Sequence, residues 1–397
     1  MIVLLKRMAS NVLYFLFIVY PFLPLIKDYS LVIGNVLEMF LIILLFVSAF
    51  LVTDNRNIVV KISKWILILL IIISIYFFIN TLDLYDALSA LRIFLLYIAL
   101  GESIKTCMNS NAKSCKMIIN ISMWIVIIMG IGAVIQFIFP ELIKNMHARD
   151  SLLALRYKTD WQAFSRFNRA ISFMNDPNVL ATYFCFNIFM VHQYFKGNRT
   201  KNKLYYFFYT VSILGCVLTQ SRTGILLLGI YFFVNIIHSS IFSMNISRFK
   251  IILYIILVCG VLFWSITHIS EILMYLRIDT LLSGNGRFES YNLNLKAILS
   301  QSTIPLLFGN GLTSGRSIIF ENSYLLCFYM FGILGFCAIV FIIANIYRSD
   351  ITKENIYFVL CFLIVCYVGD YVLIPQIAIY VIAGIKLSSL KIKKVIE

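Results

Sequence analysis

The sequence predicts an all-α, polytopic membrane protein with about twelve transmembrane helices, and three observations lead to this fold class. Of its 397 residues, 61% are apolar and only 13% are charged, whereas a soluble globular protein has about 45–50% apolar and about 25% charged residues. The mean hydropathy is +0.93. The apolar runs are about 16–24 residues long, close to the roughly 20 residues with which a helix crosses a bilayer. A soluble enzyme, a disordered chain and a disulfide scaffold are therefore poor fits.

Twelve apolar segments are predicted to cross the membrane, and together they make residues 1–397 a single integral membrane domain. In chain order they cover 11–26, 31–52, 65–80, 86–102, 117–139, 178–195, 204–219, 224–242, 251–269, 323–346, 356–371 and 375–390. The second contains Glu38 and the fourth contains Arg92. Because an ionised side chain inside a bilayer is costly, we expect these two residues to pair or to serve a function.

The basic residues predict the orientation of the chain. With the N-terminus in the cytoplasm, 20 of the 33 basic and five of the 18 acidic residues fall on the cytoplasmic side, against 12 of each outside. This asymmetry follows the positive-inside rule, so both termini are expected in the cytoplasm. The formal net charge of +15 then needs no nucleic acid to explain it. Pro21 and Pro24 stand where a signal peptide would have a cleavage site, so the first span is expected to be retained.

Two long outer loops, 140–177 and 270–322, are the expected location of soluble chemistry, because long loops on a rigid scaffold commonly carry function. Between 141 and 169 the first loop has six basic and three acidic residues, on the side where basic residues are normally scarce. Arg166 and Arg169 are its candidate binding residues. A solvated surface and a phosphate-type anion site both remain compatible with this pattern.

The second loop contains a predicted amphipathic helix. Its apolar residues are spaced so that they share one helical face, and they are Phe288, Tyr291, Leu295, Ile298 and Leu299. Arg287 falls in the first turn, where free backbone N–H groups favour an anion and where a cation alone is unfavourable. An anion site and a helix lying on the bilayer surface are compatible interpretations.

Arg222 lies between two apolar runs, at the predicted outer edge of the membrane. An arginine at this depth costs about 3 kcal/mol even on the milder insertion scales, so it is usually paired or functional. Snorkelling toward lipid headgroups is the alternative.

The cytoplasmic loops are short and contain no nucleotide-binding motif. The two Gly-Asn-Gly stretches, at 284–286 and 309–311, do not lie between a strand and a helix and are better interpreted as turns. The four histidines have no metal-ligand spacing, so no metal and no cofactor is predicted.

Four short motifs, in this order, resemble the O-antigen ligase/polymerase family, whose members include the Wzy-type polysaccharide polymerases. They are RAISFMNDPNVLATYF at 169–184, LTQSRTGILLL at 218–228, SGNGRFESYNLNL at 283–295, and PLLFGNGLTSG with ENSYLLCFYMFGILGF between 305 and 336. In motif terms the resemblance covers roughly residues 165–345.

The resemblance implies a GT-C-like glycosyltransferase that needs neither nucleotide sugar nor metal and works on the outer face of a bacterial cytoplasmic membrane. Its donor would be an oligosaccharide on undecaprenyl pyrophosphate, assembled into O-antigen (lipopolysaccharide) or capsule. Arg169, Arg222 and Arg287 match the family's arginines, and the second and third would hold the pyrophosphate. Asn178 and Asn322 fall in the same motifs as candidate substrate-binding residues. Membrane lipid and a chain-length regulator are the further expected partners.

One departure from the family favours a polymerase. Where ligases usually have His-Asn before the next span, this chain has Glu321 and Asn322. A carboxylate can also take a proton from a sugar hydroxyl, so Glu321 is the expected general base, alongside Arg222 and Arg287 as catalytic residues.

Alternative functions remain open at this point. A ligase would use lipid A core as its acceptor. A flippase of lipid-linked oligosaccharides would also have about twelve spans, but transporters concentrate polar residues near the bilayer midplane. A non-enzymatic scaffold leaves the two charged loops without a role.

Overall fold

The chain folds into α-helices, as seen in a computed structural model. The residues described are 2–52, 64–81, 97, 100–101, 103–104, 107, 112–139, 169–174, 176–195, 203–242, 287–311, 322–347, 355–368 and 374–396. Every regular element within these ranges is helical, which confirms the predicted all-α class. The α-helices are α1 (Ile2–Val19), α2 (Leu23–Tyr29), α3 (Leu31–Val52), α4 (Lys64–Thr81), α5 (Ala112–Ile138), α6 (Pro177–Phe195), α7 (Lys203–Leu218), α8 (Arg222–Phe242), α9 (Arg287–Leu299), α10 (Thr303–Phe308), α11 (Ser323–Tyr347), α12 (Ile356–Val368) and α13 (Pro375–Ile396).

Within the described ranges, three helical stretches are long and apolar enough to cross a membrane, judged by length and composition. They are Arg7–Lys27, Ser114–Ile138 and Ser323–Phe341. The first continues from α1 into α2 through a 3₁₀ turn at Tyr20–Phe22, because Pro21 and Pro24 cannot donate the regular helical hydrogen bonds. These stretches fit a membrane-embedded protein. Ten predicted segments fall on helices, although the first helix begins nine residues before segment 11–26 and the last ends six residues after segment 375–390. Segment 251–269 and most of 86–102 lie outside the described residues.

Helix α6 lies at the centre of the described bundle and packs against α5, α7, α8 and α13. Near the starts of α6 and α13, the hydroxyls of Tyr183 and Tyr380 lie 3.2 Å apart. Further along, Phe358 of α12 contacts Phe186 of α6, with ring centroids 5.2 Å apart, and also fills the space beside Gly384 of α13. Helices α6 and α13 therefore run parallel and start at the same end.

Helix α8 starts at this end as well. Asn178 in the first turn of α6 accepts a hydrogen bond from Ser221, which directly precedes α8. Further along both helices, the rings of Phe189 and Tyr231 stack with centroids 4.1 Å apart. We call the shared starting end of α6, α8 and α13 the common end of the bundle.

Helix α11 is interrupted at Gly332, which has φ 64° and ψ −175°. A Cβ on Gly332 would overlap the carbonyl group of Leu307, and a Cβ on Gly309 would overlap that of Met330. Only glycine fits this close approach of α10 to α11. Asn310 stabilises the contact, because its backbone N–H and its Nδ2 donate hydrogen bonds to the Tyr329 carbonyl at 3.0 and 3.1 Å. The Gly-Asn-Gly stretch at 309–311 is thus a structural connection packed on α11.

Helix α3 contains a buried carboxylate with a cationic partner. Glu38 is 1% exposed, and its Oε2 forms an ion pair with Lys27 Nζ at 2.5 Å. Lys27 lies at the end of α2 and crosses over Gly34, where a larger side chain would collide with it. The Lys27 partner was not foreseen. The predicted partner, Arg92, lies outside the described residues.

Candidate functional site

The side chain of Arg169 is fixed by two groups from different segments. Its Nε donates to the Thr219 carbonyl at 3.0 Å, and its Nη2 donates to Asn178 Oδ1 at 3.1 Å. The neighbouring backbone is tied to the same turn, because the N–H of Ala170 donates to the Leu218 carbonyl at 3.0 Å. The first turn of α6 and the turn between α7 and α8 therefore both contact this half-buried guanidinium, which precedes α6.

Asn178 joins the two segments through one atom. Its Oδ1 accepts hydrogen bonds from Arg169 Nη2 and from Ser221 Oγ, the latter at 2.9 Å. A flipped amide would set its NH₂ group against the guanidinium, so this arrangement assigns the oxygen. We call Arg169, Asn178, Thr219 and Ser221 the Arg169 cluster.

Asp176 sets the position of Asn178 by capping α6. Its Oδ1 accepts from the backbone N–H groups of Asn178 at 2.6 Å and Val179 at 3.2 Å. This is the geometry of an N-cap carboxylate, and Pro177 occupies the first helical position, where its missing N–H costs nothing. The Asp-Pro-Asn sequence therefore starts a helix with the Asn178 amide directed at the cluster.

Gln136, near the end of α5, holds the chain that carries Arg169. The Gln136 side chain is 4% exposed, and its Oε1 accepts from the N–H groups of Ile171 and Ser172, each at 2.8 Å. Ser172 has φ 50°, and its hydroxyl donates to the Met129 carbonyl at 2.8 Å. The segment that carries Arg169 is thus held against α5 by side-chain hydrogen bonds.

The turn between α7 and α8 presents Arg222. The Ser221 N–H donates to Thr219 Oγ1 at 3.2 Å, and Ser221 Oγ accepts from the Gly224 N–H at 3.3 Å. Ser221 therefore caps α8, and Arg222 is its first residue. A Cβ on Gly224 would collide with Ala181 of α6, so glycine at this position allows α8 to start beside α6.

The electrostatics of this region favour an anion. Arg169 and Arg222 are both half-buried and lie beside the first turns of α6 and α8. Each helix start carries roughly half a positive charge from the aligned peptide dipoles. A guanidinium at such a position is unfavourable for the helix by itself, whereas a phosphate would interact with the guanidinium and the helix together.

The predicted helix of the second loop is present as α9, and Arg287, expected in its first turn, is its first residue. The buried face of α9 contains one polar and one apolar residue. Asn294 and Ile298 are 5% and 1% exposed, whereas Leu295 and Leu299 are 44% and 68% exposed. The apolar residues predicted to share one helical face are thus not all buried, and the buried positions of α9 include an asparagine. The side chain of Arg287 lies outside the described part of the structure.

Helix α9 lies at the common end. Tyr291 packs against Tyr367, with ring centroids 6.0 Å apart, and its hydroxyl donates to the Tyr367 carbonyl at 3.4 Å. Tyr367 is close to the end of α12, which runs antiparallel to α6: Phe358 contacts Phe189, and Phe362 contacts Phe186. The second loop therefore returns to the end of the bundle where the Arg169 cluster lies.

Asn322 caps α11. Its Oδ1 accepts from the N–H groups of Tyr324 at 2.9 Å and Leu325 at 3.1 Å. The Tyr324 hydroxyl in turn donates to the Leu363 carbonyl of α12 at 2.9 Å. This oxygen thus has a helix-capping role, and a substrate contact by Asn322 stays a prediction. Glu321 and Arg166 lie outside the described residues.

Three residues of this region were missed by the sequence analysis: Gln136, Thr219 and Ser221. Gln136 had a usable signal, since it is a lone long polar side chain near the end of an otherwise apolar run. Thr219 and Ser221 both lie just before Arg222, the residue of the second motif that was identified as a candidate. Their importance lies in hydrogen bonds to a segment distant in sequence, which local patterns do not reveal.

The arrangement can hold an anion between two helix starts, at the end of an apolar bundle. The described residues contain no group of three or more His, Cys, Asp or Glu side chains placed to hold a metal ion. The guanidinium and backbone N–H groups of this region suit phosphate-like charge. The chain matches no family model, no curated protein and no solved structure.

Proposed function

We propose that this chain is a polysaccharide polymerase that joins oligosaccharide repeat units carried on undecaprenyl pyrophosphate. The observation that carries the proposal is the Arg169 cluster. It connects the first and second motifs of the family resemblance, and it places Arg222 at a helix start beside it. A cationic site at one end of an apolar bundle suits a ligand with a charged head and a long lipid tail.

The proposed topology is GT-C-like, with about twelve spans, both termini in the cytoplasm and the common end facing outward from a bacterial cytoplasmic membrane. Helix α5 supports this orientation. It carries Lys116 near one end and Gln136, which contacts the Arg169 segment, near the other. Twenty residues of helix span about 30 Å, which matches the thickness of the hydrocarbon core.

In the proposed reaction, the pyrophosphate of the donor lies against Arg222 and Arg287. A hydroxyl of the acceptor repeat unit attacks the anomeric carbon of the donor glycan. The bond from that carbon to the pyrophosphate oxygen breaks, and lipid pyrophosphate leaves with the electron pair. Glu321 takes the hydroxyl proton. Negative charge grows on the leaving group, so fixed arginines stabilise the transition state more than the ground state, and a single displacement inverts the anomeric centre.

The geometry refines the role of Arg169 within this proposal. Two N–H groups of Arg169 already donate hydrogen bonds to Thr219 and Asn178. Arg169 therefore holds the start of α8 in position and adds positive electrostatic potential. Arg222 is the first residue of that helix and is the better candidate for contact with the pyrophosphate. Arg169 is thus a positioning residue in this account.

The test of the function is reconstitution of the purified chain in liposomes with lipid-linked repeat units on the outer leaflet. A polymerase yields a ladder of glycans that differ by one repeat unit. Transfer to lipid A core without a ladder would identify a ligase. Movement of single repeats between leaflets without bond formation would identify a flippase, and both of these results contradict the proposal.

A further inference from the structure

A groove of about 660 Å³ lies between α1 and α5, and none of its lining residues belongs to the Arg169 cluster. Its volume is within the roughly 300–1,000 Å³ of small-ligand sites. Ile18 contributes one wall from α1, and the α5 wall includes Lys116, Met117, Asn120, Ile121 and Trp124. The groove is open on the surface of the bundle, since Met117 and Trp124 are 48% and 54% exposed.

The polar residues of the groove lie on one side of its α5 wall, toward the start of that helix. Lys116, Asn120 and Trp124 follow each other at intervals of four residues, so they form one stripe along the helix. Met117 and Ile121 form the adjacent stripe. Along the first stripe, over about 12 Å of helix, the lining changes from an ammonium and an amide group to an indole, while the second stripe is apolar throughout. An amphiphile with an anionic head and an apolar tail has the same gradient.

The polar end of the groove lies at the height expected for lipid headgroups. Lys116 is twenty residues, or about 30 Å, from Gln136 at the other end of α5, and no charged residue lies between them. If α5 crosses a hydrocarbon core of about 30 Å, Lys116 reaches the interface opposite the Arg169 cluster. The groove is therefore distinct from the proposed donor site, and the inference does not depend on that function.

We propose that this groove binds one anionic phospholipid. The lipid phosphate lies at Lys116 and Asn120, and one acyl chain follows Met117, Ile121 and Trp124. The occupant is identified by charge complementarity, because a zwitterionic lipid brings no net charge to the exposed lysine. Basic pockets between transmembrane helices on the cytoplasmic side bind anionic headgroups for the same reason.

The test uses brominated lipids, which quench a tryptophan only on close contact. The full chain is reconstituted in vesicles that contain brominated phosphatidylglycerol or brominated phosphatidylcholine, and the signal of Trp124 is the difference between wild type and Trp124→Phe. We expect half-maximal quenching at an about five-fold lower mole fraction of the anionic lipid, since one basic residue at a membrane surface contributes about that factor. Equal quenching by the two lipids would overturn the proposal.

Variants of Lys116 test the headgroup contact. Lys116→Gln should remove the preference for the anionic lipid, and Lys116→Arg should keep it. Lys203→Gln is the matched control, because Lys203 is an exposed lysine at the start of α7 that does not line the groove. If Lys116→Gln keeps the full preference, or if Lys203→Gln loses it equally, the preference does not arise at this groove and the proposal is wrong.

Discussion

The amide oxygen of Asn178 lies 2.9 Å from the hydroxyl of Ser221, although the two residues are 43 positions apart in the sequence. The same oxygen accepts from Arg169 Nη2 at 3.1 Å. One acceptor atom thus joins the start of α6, the start of α8 and the segment before α6. A change at this atom is expected to affect both the stability of the bundle and the cationic site.

Two substitutions of Asn178 should separate the effect on the stability of the bundle from the effect on the cationic site. Asn178→Ala removes the acceptor that Arg169 Nη2 and Ser221 Oγ share, and loss of a partner typically costs about 1–3 kcal/mol for a buried polar group such as the Ser221 hydroxyl. We expect a lower midpoint of thermal unfolding in detergent. Asn178→Asp keeps the acceptor and adds a negative charge, so it should unfold near the wild-type midpoint but bind the donor more weakly. If both variants unfold alike, the hydrogen bonds to Oδ1 do not stabilise the bundle.

Gln136 should be required for the position of Arg169. Gln136→Leu removes the acceptor for the N–H groups of Ile171 and Ser172 within a buried site, whereas Gln136→Glu retains it. We expect polymer formation to fall sharply for the leucine variant and to survive in part for the glutamate variant. The measurement is polymer length and yield at matched membrane abundance. Normal polymer from Gln136→Leu would show that the segment holds its position without this side chain.

The break in α11 should depend on glycine. Gly332→Ala combines a positive φ, which costs about 1–3 kcal/mol for a residue with a side chain, with a collision against the Leu307 carbonyl. Its unfolding midpoint should fall clearly. Gly229→Ala is the control, because a Cβ at this exposed position in α8 meets nothing within 4 Å. An unchanged midpoint for Gly332→Ala would mean that α11 can run straight.

Glu321 directly precedes Asn322, the N-cap of α11, and is predicted to act as the general base. A conservative substitution distinguishes this role from a purely electrostatic interaction with the helix. Glu321→Gln should reduce turnover by about 10²–10⁴-fold with little loss of folded protein. A carboxylate that only interacts with the helix dipole contributes about 0.3–1 kcal/mol, so glutamine would then be mildly harmful. Turnover of purified Glu321→Gln close to that of wild type would remove Glu321 from the mechanism.

Much of the helical framework could be predicted from the sequence, because length and hydropathy alone determine where an apolar helix starts and ends. The helices Leu31–Val52 and Pro177–Phe195 agree closely with the predicted segments 31–52 and 178–195. The start of α9 at Arg287 was also anticipated. The buried face of α9 was not, since Asn294 is buried by its neighbours in the fold rather than by its own polarity.

The candidate site could be predicted only in part. Arg169, Asn178 and Arg222 were identified from short motifs, and the structure brings their segments together. The residues that fasten them, Gln136 and Ser221, act through hydrogen bonds between distant segments. Sequence spacing contains no information about such bonds. The Lys27 partner of Glu38 was missed for a similar reason, because a hairpin of α2 and α3 brings it into contact.

The most direct test of the account is the turnover of purified Arg222→Ala and Arg222→Lys with lipid-linked repeat units. We expect the alanine variant to form no polymer and the lysine variant to recover little, because an ammonium group cannot offer the bidentate fork to phosphate. Lys296→Ala, which removes an exposed charge from α9, should retain wild-type turnover. Single lipid-linked repeats should accumulate on the outer face of cells that carry Arg222→Ala. Wild-type polymer from Arg222→Ala at matched abundance would contradict the assignment of the pyrophosphate site.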